Sequence, residues 1–316
     1  MPAARQWEFA GTGGAVTARI WPPTAPSDAA SGAAPVATSD AAPVAEPVAT
    51  SAAAADALGE ASDGAALGAP RYVAVLVHGY GEHLGRYEHV AAFLNRHGAL
   101  VCGPDHAGHG LSAGERVLIT DVDDLVADVR TVVESARDDL PGVPVIMIGH
   151  SMGGLIATRY AQLHGSELTA LVLSGPVLGR WDALSALLEL PEIPDIPIDP
   201  DTLSRDPEVG RAYAADPLVW HGPFKRPTLQ ALDAAIRAVS EHGTLGDLPV
   251  LWLHGEDDRL VPVEGTRAGI EAIRGPGLTS KIYPAARHEI FNETNRDEVL
   301  TDVTTAIDAA LDARRH

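Results

Sequence analysis

The chain has 316 residues, which is long enough for one large domain with its own buried core. Its 43 acidic residues against 23 Lys and Arg give a net charge of -20, which repels phosphate backbones and excludes nucleic acid as a natural partner. Cys102 is the only cysteine, so no intramolecular disulfide can form. No apolar run has the length of a signal peptide or a membrane span, and we therefore expect a cytoplasmic protein without a transmembrane segment.

The N-terminal 70 residues combine two short strands with a low-complexity insertion. Residues 6–9 and 15–21 predict strands, so we assign residues 1–21 to the edge of a sheet. Residues 22–70 are mostly Ala, Pro, Ser, Thr, Gly, Val and Asp, and they cannot bury enough apolar surface to offset the entropy of ordering. We interpret them as a flexible insertion in the sheet; a helix beginning near residue 51 is the alternative.

From residue 71 onward, apolar runs alternate with amphipathic helical patterns, which predicts an α/β fold with a mostly parallel central sheet flanked by helices. The predicted strands cover residues 72–77, 99–102, 143–148, 170–173, 250–253 and 281–283. The predicted helices cover residues 86–96, 122–139, 153–164, 262–273 and 297–313. Residues 177–247 break this alternation and predict a small cap, which divides the core into residues 71–176 and 248–316.

The segment Gly149-His150-Ser151-Met152-Gly153 lies between a predicted strand and a predicted helix. This is G-x-S-x-G in the strand-turn-helix context of the α/β-hydrolase fold, where the glycines let strand and helix approach closely. Ser151 is therefore the predicted nucleophile. The Met152 N–H, at the start of the helix, is a predicted donor to the oxyanion.

A serine nucleophile needs a base, and the base needs an orienting carboxylate. His288 follows the last predicted strand, so we predict that it is the base. Three acids follow the preceding strand, and we favour Asp258 over Glu256 and Asp257 because it lies just before the apolar residues that begin the next helix. The carboxyl ends of these strands should bring Ser151, Asp258 and His288 together.

A second oxyanion donor normally comes from the loop after an early strand. The loop His78-Gly79-Tyr80-Gly81 is in this position, and its two glycines allow the Tyr80 N–H to point at the site. Nearby histidines could instead suggest a metal site, but the surrounding glycines favour a tight turn, and we predict neither a metal nor a cofactor. The candidate ligands for that alternative are His78, His83, Asp105, His106 and His109.

Taken together, these motifs resemble the monoacylglycerol lipase family of α/β-hydrolases from about residue 72 to the C-terminus. The resemblance supports Asp258 and implies hydrolysis of monoacylglycerols to fatty acid and glycerol through an acyl-enzyme. It also implies that Glu82 and Arg86 shape the polar end of the pocket; an exposed ion pair is the alternative. The matching segments are residues 78–83 with 86–87, 105–112, 149–154, 254–258 and His288, together with the cap stretches 204–209 and 212–219.

Family members approach lipid aggregates through apolar cap residues, so the resemblance makes Leu184, Leu187 and Leu188 candidates for transient lipid contact. Packing of these leucines on the core is the alternative. The insertion at 22–70 has no family counterpart, and the helical part of the cap looks short. A short cap leaves other substrates open, namely small or aromatic monoesters such as monoalkyl phthalates, and lysophospholipids. A non-catalytic binding protein is disfavoured because all three catalytic positions are retained.

Overall fold

The computed structural model describes residues 4–23 and 69–315. The alternative helix near residue 51 and nearly all of the predicted insertion at 22–70 lie outside these described residues. The sheet and the helices below are therefore built from the two described ranges alone.

The described residues form one sheet of eight strands in the order β1-β2-β4-β3-β5-β6-β7-β8. The strand β2 is antiparallel to its neighbours β1 and β4, and the remaining pairs from β4 to β8 are parallel. This confirms the predicted mostly parallel α/β sheet. The strands are β1 (Arg5–Gly11), β2 (Gly14–Trp21), β3 (Tyr72–Val77), β4 (Ala99–Pro104), β5 (Val145–His150), β6 (Ala170–Ser174), β7 (Val250–Gly255) and β8 (Leu278–Tyr283).

Helices cover both faces of the sheet, because the parallel strands are apolar on both faces. Val73, Val75 and Val77 pack on one face, whereas Ala74 and Leu76 pack on the other. The α-helices of the described residues are α1 (Glu88–Arg96), α2 (Val122–Asp139), α3 (Met152–His164), α4 (Asp182–Glu189), α5 (Pro207–Ala215), α6 (Arg226–His242), α7 (Val263–Ile273) and α8 (Arg296–Ala313).

The order of the strands reverses at β3, because β4 pairs with one edge of β3 and β5 with the other. At such a reversal, the loops leaving the carboxyl ends of neighbouring strands turn in opposite directions and leave a crevice. The loops after β3 and β5 begin with the two segments predicted to form the site, His78-Gly79-Tyr80-Gly81 and Ser151-Met152.

The segment between β6 and β7 contains α4, α5 and α6, so it is more helical than its sequence pattern predicted. The pattern-based prediction assigned no helix to residues 226–242. Leu232 and Ile236 of α6 belong to the same apolar cluster as Leu155 of α3. The Gln162 Nε2 amide of α3 also donates to the Val239 carbonyl at 2.8 Å. Part of the predicted cap therefore packs directly on the core.

Candidate active site

Ser151 lies at a sharp turn between β5 and α3 and has a φ of 55° and a ψ of -120°. A positive φ is strained for a residue with a side chain, and such strain is typical of functional turns. The flanking glycines are required sterically: a Cβ on Gly149 would overlap the Gly153 carbonyl, and a Cβ on Gly153 would overlap the Val77 carbonyl. Only glycine allows the strand and the helix to come this close.

The structure brings the three residues of the predicted triad into direct contact. The Ser151 Oγ is 2.9 Å from His288 Nε2, and His288 Nδ1 is 2.7 Å from Asp258 Oδ2. An ionised carboxylate can only accept, so the Nδ1–H donates to Asp258 and Nε2 is left to accept the serine proton. Asp257, one of the competing acids, is instead bound to Arg259 near the surface.

Asp258 is held by four donors. Its Oδ1 accepts the N–H groups of Leu260 and Val261 at 3.0 and 2.9 Å, and its Oδ2 is 3.1 Å from His254 Nε2. Because the Trp252 indole N–H can only donate, its 3.2 Å bond to His254 Nδ1 places the His254 proton on Nε2. His254 thus donates towards Asp258 and also to the Val261 carbonyl at 2.8 Å.

The sequence analysis missed Trp252 and His254, although both belong to the strand β7 that leads to Asp258. The sequence does show that Trp252 and His254 lie on the same face of the strand, because they are two positions apart. What the pattern does not show is that the polar tip of a buried tryptophan must find a partner, and that this partner is His254.

The charges of this relay shift the pKa values of its members in opposite directions. Burial alone would lower the pKa of His288, but the adjacent Asp258 carboxylate outweighs burial and raises it above the ordinary histidine value. Burial alone would raise the pKa of Asp258, but His288 and His254 hold it well below its usual range. Asp258 is thus ionised at neutral pH and stabilises a proton on His288.

Two backbone N–H groups are placed to receive a developing negative charge. Tyr80 and Met152 both line the cavity that contains Ser151, and neither N–H donates to another group among residues 4–23 and 69–315. The neighbouring Gly79 N–H is not available, because it donates to Glu82 Oε1 at 2.7 Å. The Tyr80 ring stacks on Phe224 with 4.5 Å between centroids, which fixes the loop under the cap.

The histidines of the loops after β3 and β4 bind each other and the backbone. The Nε2 of His78 accepts the His106 N–H at 3.0 Å, and His109 Nδ1 donates to the Ala107 carbonyl at 3.0 Å. Burial lowers the pKa of His106 to about 3 and that of His109 to about 4, so both rings are neutral. His83 accepts the Gly85 N–H and donates to Asp216, which ties this loop to the cap.

Glu82 and Arg86 form a buried ion pair of 2.6 Å, so the alternative of an exposed pair is wrong. A third residue completes the cluster, since Glu289 accepts both Arg86 Nη groups at 2.7 and 2.8 Å. The sequence analysis missed Glu289, although it directly follows His288. Its partner lies 203 positions earlier, so the periodicity of the sequence could not pair them.

A cavity of about 150 Å³ opens beside Ser151. Its polar end is the Glu82, Arg86 and Glu289 cluster, and the cap supplies most of its apolar wall. Leu184 is buried, and Leu187 and Leu188 are partly buried and pack on the main apolar cluster. The apolar wall consists of Val177, Trp181, Leu187, Ile198, Leu203, Tyr213, Phe224, Leu232, Leu260 and Val261.

The fold and the serine-histidine-aspartate geometry are those of an α/β-hydrolase, and the chain is a carboxylic ester hydrolase. The family model described as "Serine aminopeptidase, S33" matches residues 68–295. The monoacylglycerol lipase of Mycolicibacterium smegmatis is 42% identical over 247 residues, which are 75% of this chain and 88% of that protein. The chain belongs to the monoacylglycerol lipase family within this larger group.

Further similarities agree with this assignment. The monoglyceride lipase of Homo sapiens is 35% identical over 251 residues, which are 76% of this chain and 80% of that protein. The crystal structure of Paleococcus ferrophilus monoacylglycerol lipase has a TM-score of 0.66 at 28% identity and covers 78% of this chain and 96% of its own. Within residues 4–23 and 69–315, none of the helices is both long and apolar enough to traverse a bilayer.

Proposed function

We propose that this chain hydrolyses monoacylglycerols to a fatty acid and glycerol, with Ser151, His288 and Asp258 as the catalytic triad. The observation that carries the proposal is the continuous relay from Ser151 Oγ through His288 to Asp258 beside an apolar cavity. The relatives named monoacylglycerol lipase and monoglyceride lipase support this substrate class.

In the proposed acylation step, Ser151 Oγ attacks the ester carbonyl carbon while His288 Nε2 takes the hydroxyl proton. The N–H groups of Tyr80 and Met152 donate to the resulting oxyanion. Asp258 stabilises the imidazolium that forms. When the tetrahedral intermediate collapses, the bond to the glycerol oxygen breaks, His288 returns its proton to that oxygen, and glycerol leaves.

Deacylation repeats these steps with water. His288 removes a proton from a water molecule as its oxygen attacks the acyl carbonyl, and the same two N–H groups bind the second oxyanion. The proton then passes to Ser151 Oγ as the acyl–serine bond breaks and the fatty acid is released. No step requires a cofactor, because the general base and the oxyanion donors are part of the chain.

Glu82 and Arg86 form the polar end of the proposed substrate pocket. Both line the cavity, and both are less than 10% exposed. Glycerol hydroxyls need polar partners when they leave water, and this end of the cavity offers them. The cap leucines and aromatic residues form an apolar wall for the acyl chain.

The substrate is tested by a chain-length series. Monoacylglycerols from short to long chains are compared with 4-nitrophenyl esters and monoalkyl phthalates, in the wild type and in Ser151→Ala. We expect the highest kcat/KM for a monoacylglycerol and no hydrolysis by Ser151→Ala. A higher kcat/KM for phthalate monoesters would favour the small-ester alternative, and an active Ser151→Ala variant would contradict the triad.

Two further features remain part of the proposal. We propose a cytoplasmic location, supported by the single cysteine, Cys102, which is free and buried. We also propose transient contact of the cap with lipid aggregates, supported by the exposed side chains of Leu190 and Ile196. Fractionation of cells tests the first, and co-sedimentation with monoacylglycerol-containing vesicles tests the second, with Ile196→Ser expected to weaken binding.

A further inference from the structure

The polar end of the cavity contains three buried charged side chains in one cluster. Arg86 Nη1 donates to Glu82 Oε2 at 2.6 Å and to Glu289 Oε1 at 2.7 Å, while Nη2 donates to Glu289 Oε2 at 2.8 Å. All three side chains are less than 10% exposed. Two carboxylates thus face one guanidinium, which leaves one negative charge uncompensated.

Both carboxylates bind groups that donate hydrogen bonds to them. Burial opposes ionisation, but Arg86 outweighs it and lowers the pKa of Glu289 to about 2. Glu82 accepts three hydrogen bonds, from Arg86, from the Tyr87 hydroxyl at 2.6 Å and from the Gly79 N–H at 2.7 Å. Because the Gly79 and Arg86 N–H groups can only donate, both Glu82 oxygens act as acceptors, and the cluster contains more carboxylates than cations.

Among the described residues that line the cavity, no further cation is paired with this cluster, and His288 is bound to the Asp258 carboxylate instead. Burial and the neighbouring His288 lower the pKa of His150 to about 3, so its ring is neutral. The Arg259 side chain is 72% exposed and is paired with Asp257. Three N–H groups of Arg86 donate to the two carboxylates, and the Tyr213 ring lies 5.1 Å from its guanidinium carbon, so the charge of Arg86 is already matched within the cluster.

The cluster is also close to the reacting serine. A Cβ added to Gly79 would lie 2.9 Å from Glu82 Oε1 and 3.2 Å from the Ser151 Cβ. Glu82 and Ser151 therefore approach the same face of Gly79. A like charge in this enclosed space is screened far less than one at the surface.

We infer that Glu289 makes the site selective for uncharged esters and against esters that carry a phosphate or carboxylate group. This inference rests on the proposed function and deepens it, because it separates monoacylglycerols from lysophospholipids with anionic head groups and from monoalkyl phthalates. The selectivity arises from repulsion of the wrong substrate rather than from added contacts to the right one.

The test compares two esters that differ by one phosphate, 1-decanoylglycerol and 1-decanoylglycerol 3-phosphate, below their aggregation concentrations. We expect the wild type to prefer the neutral ester by about 100-fold in kcat/KM, since like-charge juxtaposition costs several kcal/mol. In Glu289→Gln this preference should fall at least about tenfold. Measurements at low and high salt separate the effect from the net charge of -20, because only surface repulsion is screened.

The matched control is Glu293→Gln, which removes another buried carboxylate from the same loop. Glu293 is 1% exposed but binds Arg205 and does not line the cavity, so the preference should not change. Active sites are counted with a fluorophosphonate, so partial unfolding affects both esters equally.

Three results would overturn the inference: equal hydrolysis of both esters by the wild type, an unchanged preference in Glu289→Gln, or a preference that vanishes at high salt. If the wild type does not hydrolyse 1-decanoylglycerol, the proposed function fails. The same comparison then uses phenyl butyrate and 4-(butanoyloxy)benzoate, which differ by one carboxylate on the leaving group, so the charge selectivity is tested separately.

Discussion

In the proposed mechanism, His288 works through both of its ring nitrogens, and its raised pKa sets the pH at which Ser151 becomes reactive. Below its pKa, His288 carries a proton on Nε2 and cannot accept the serine proton. Because Asp258 raises the pKa of His288, we predict that the acid limb of kcat/KM lies above the ordinary histidine value of about 6.5. Titration of kcat/KM on an uncharged ester measures it.

Replacement of the Asp258 carboxylate tests whether it raises the pKa of His288. Asp258→Asn removes the charge that raises the pKa of His288, so the acid limb should move to lower pH. The plateau of kcat/KM should fall by about 10³- to 10⁴-fold, because the amide also favours the wrong tautomer. An acid limb that stays in place in Asp258→Asn would show that this carboxylate does not control His288.

We predict that His254 lowers the basicity of the Asp258 carboxylate and does not orient it, because two backbone N–H groups already fix Oδ1. His254→Leu removes one donor from Oδ2 and concentrates the negative charge there. The acid limb of kcat/KM should then rise by roughly half to one pH unit, since hydrogen bonds to a carboxylate lower its basicity. His254→Gln keeps a donor and should restore the wild-type limb; equal loss of activity in both variants without a shift would contradict the prediction.

Other titratable groups also face this relay. His150 approaches His288 with 4.8 Å between centroids, and Glu289 and Glu82 both raise the pKa of His288. None of them contacts Asp258 by a hydrogen bond in the part of the chain that the structure describes. A shift produced by His254→Leu would therefore report on Asp258.

Single residues were predictable from the sequence where a local rule fixes their place. Ser151 follows from its flanking glycines, His288 follows from the last strand, and Asp258 follows from its place just before the apolar residues that begin the next helix. Glu289 and His254 were not predictable in this way. Their roles depend on partners fixed by packing, namely Arg86 for the first and the Trp252 N–H for the second.

The turn between β5 and α3 is the element on which the proposed chemistry depends. Gly153→Ala should abolish activity and destabilise the fold by about 3 kcal/mol or more, because the new Cβ would overlap the Val77 carbonyl and the backbone cannot yield. Gly165→Ala is the matched control, since a Cβ there meets nothing within 4 Å. Thermal unfolding and active-site titration measure both; a stable, active Gly153→Ala would refute the steric argument.

Strands and helices were predicted correctly where the pattern of apolar residues alone defines them. Each of the eight predicted strands is present, because runs such as residues 72–77 are apolar at every position and end at turn residues. The helix α6 was missed, although Leu229, Leu232, Ile236 and Val239 have helical spacing and Pro227 lies in its first turn. Because the neighbouring stretch is rich in proline, the whole segment was predicted to be one irregular cap.

At the scale of the whole molecule, the strands that flank residues 24–68 in the sequence, β2 and β3, approach each other across β4 away from the site. Trp21 and Ala74 both pair with Val101, on opposite edges of β4. Trp21 and Ala74 are therefore about 10 Å apart, near the amino end of the parallel strands. Ser151 lies at the carboxyl end, so the length of this connection should not affect catalysis.

Replacing residues 24–68 with a Gly-Ser linker of about six residues, which reaches about 20 Å, tests this prediction. We expect kcat/KM within about twofold of wild type and a similar Tm, because the flanking strands β2 and β3 meet at the amino end of the parallel strands and Ser151 lies at the carboxyl end. A loss of activity above tenfold in a folded variant would show that the segment contributes to the site.

The central claim is that Ser151 is the nucleophile and that His288 activates it. It is tested most directly by fluorophosphonate labelling at neutral pH, followed by peptide mapping of the modified residue. We predict one label per chain, on Ser151, with labelling slowed by at least about 10³-fold in His288→Ala. A label on another residue, or undiminished labelling of folded His288→Ala, would contradict the claim.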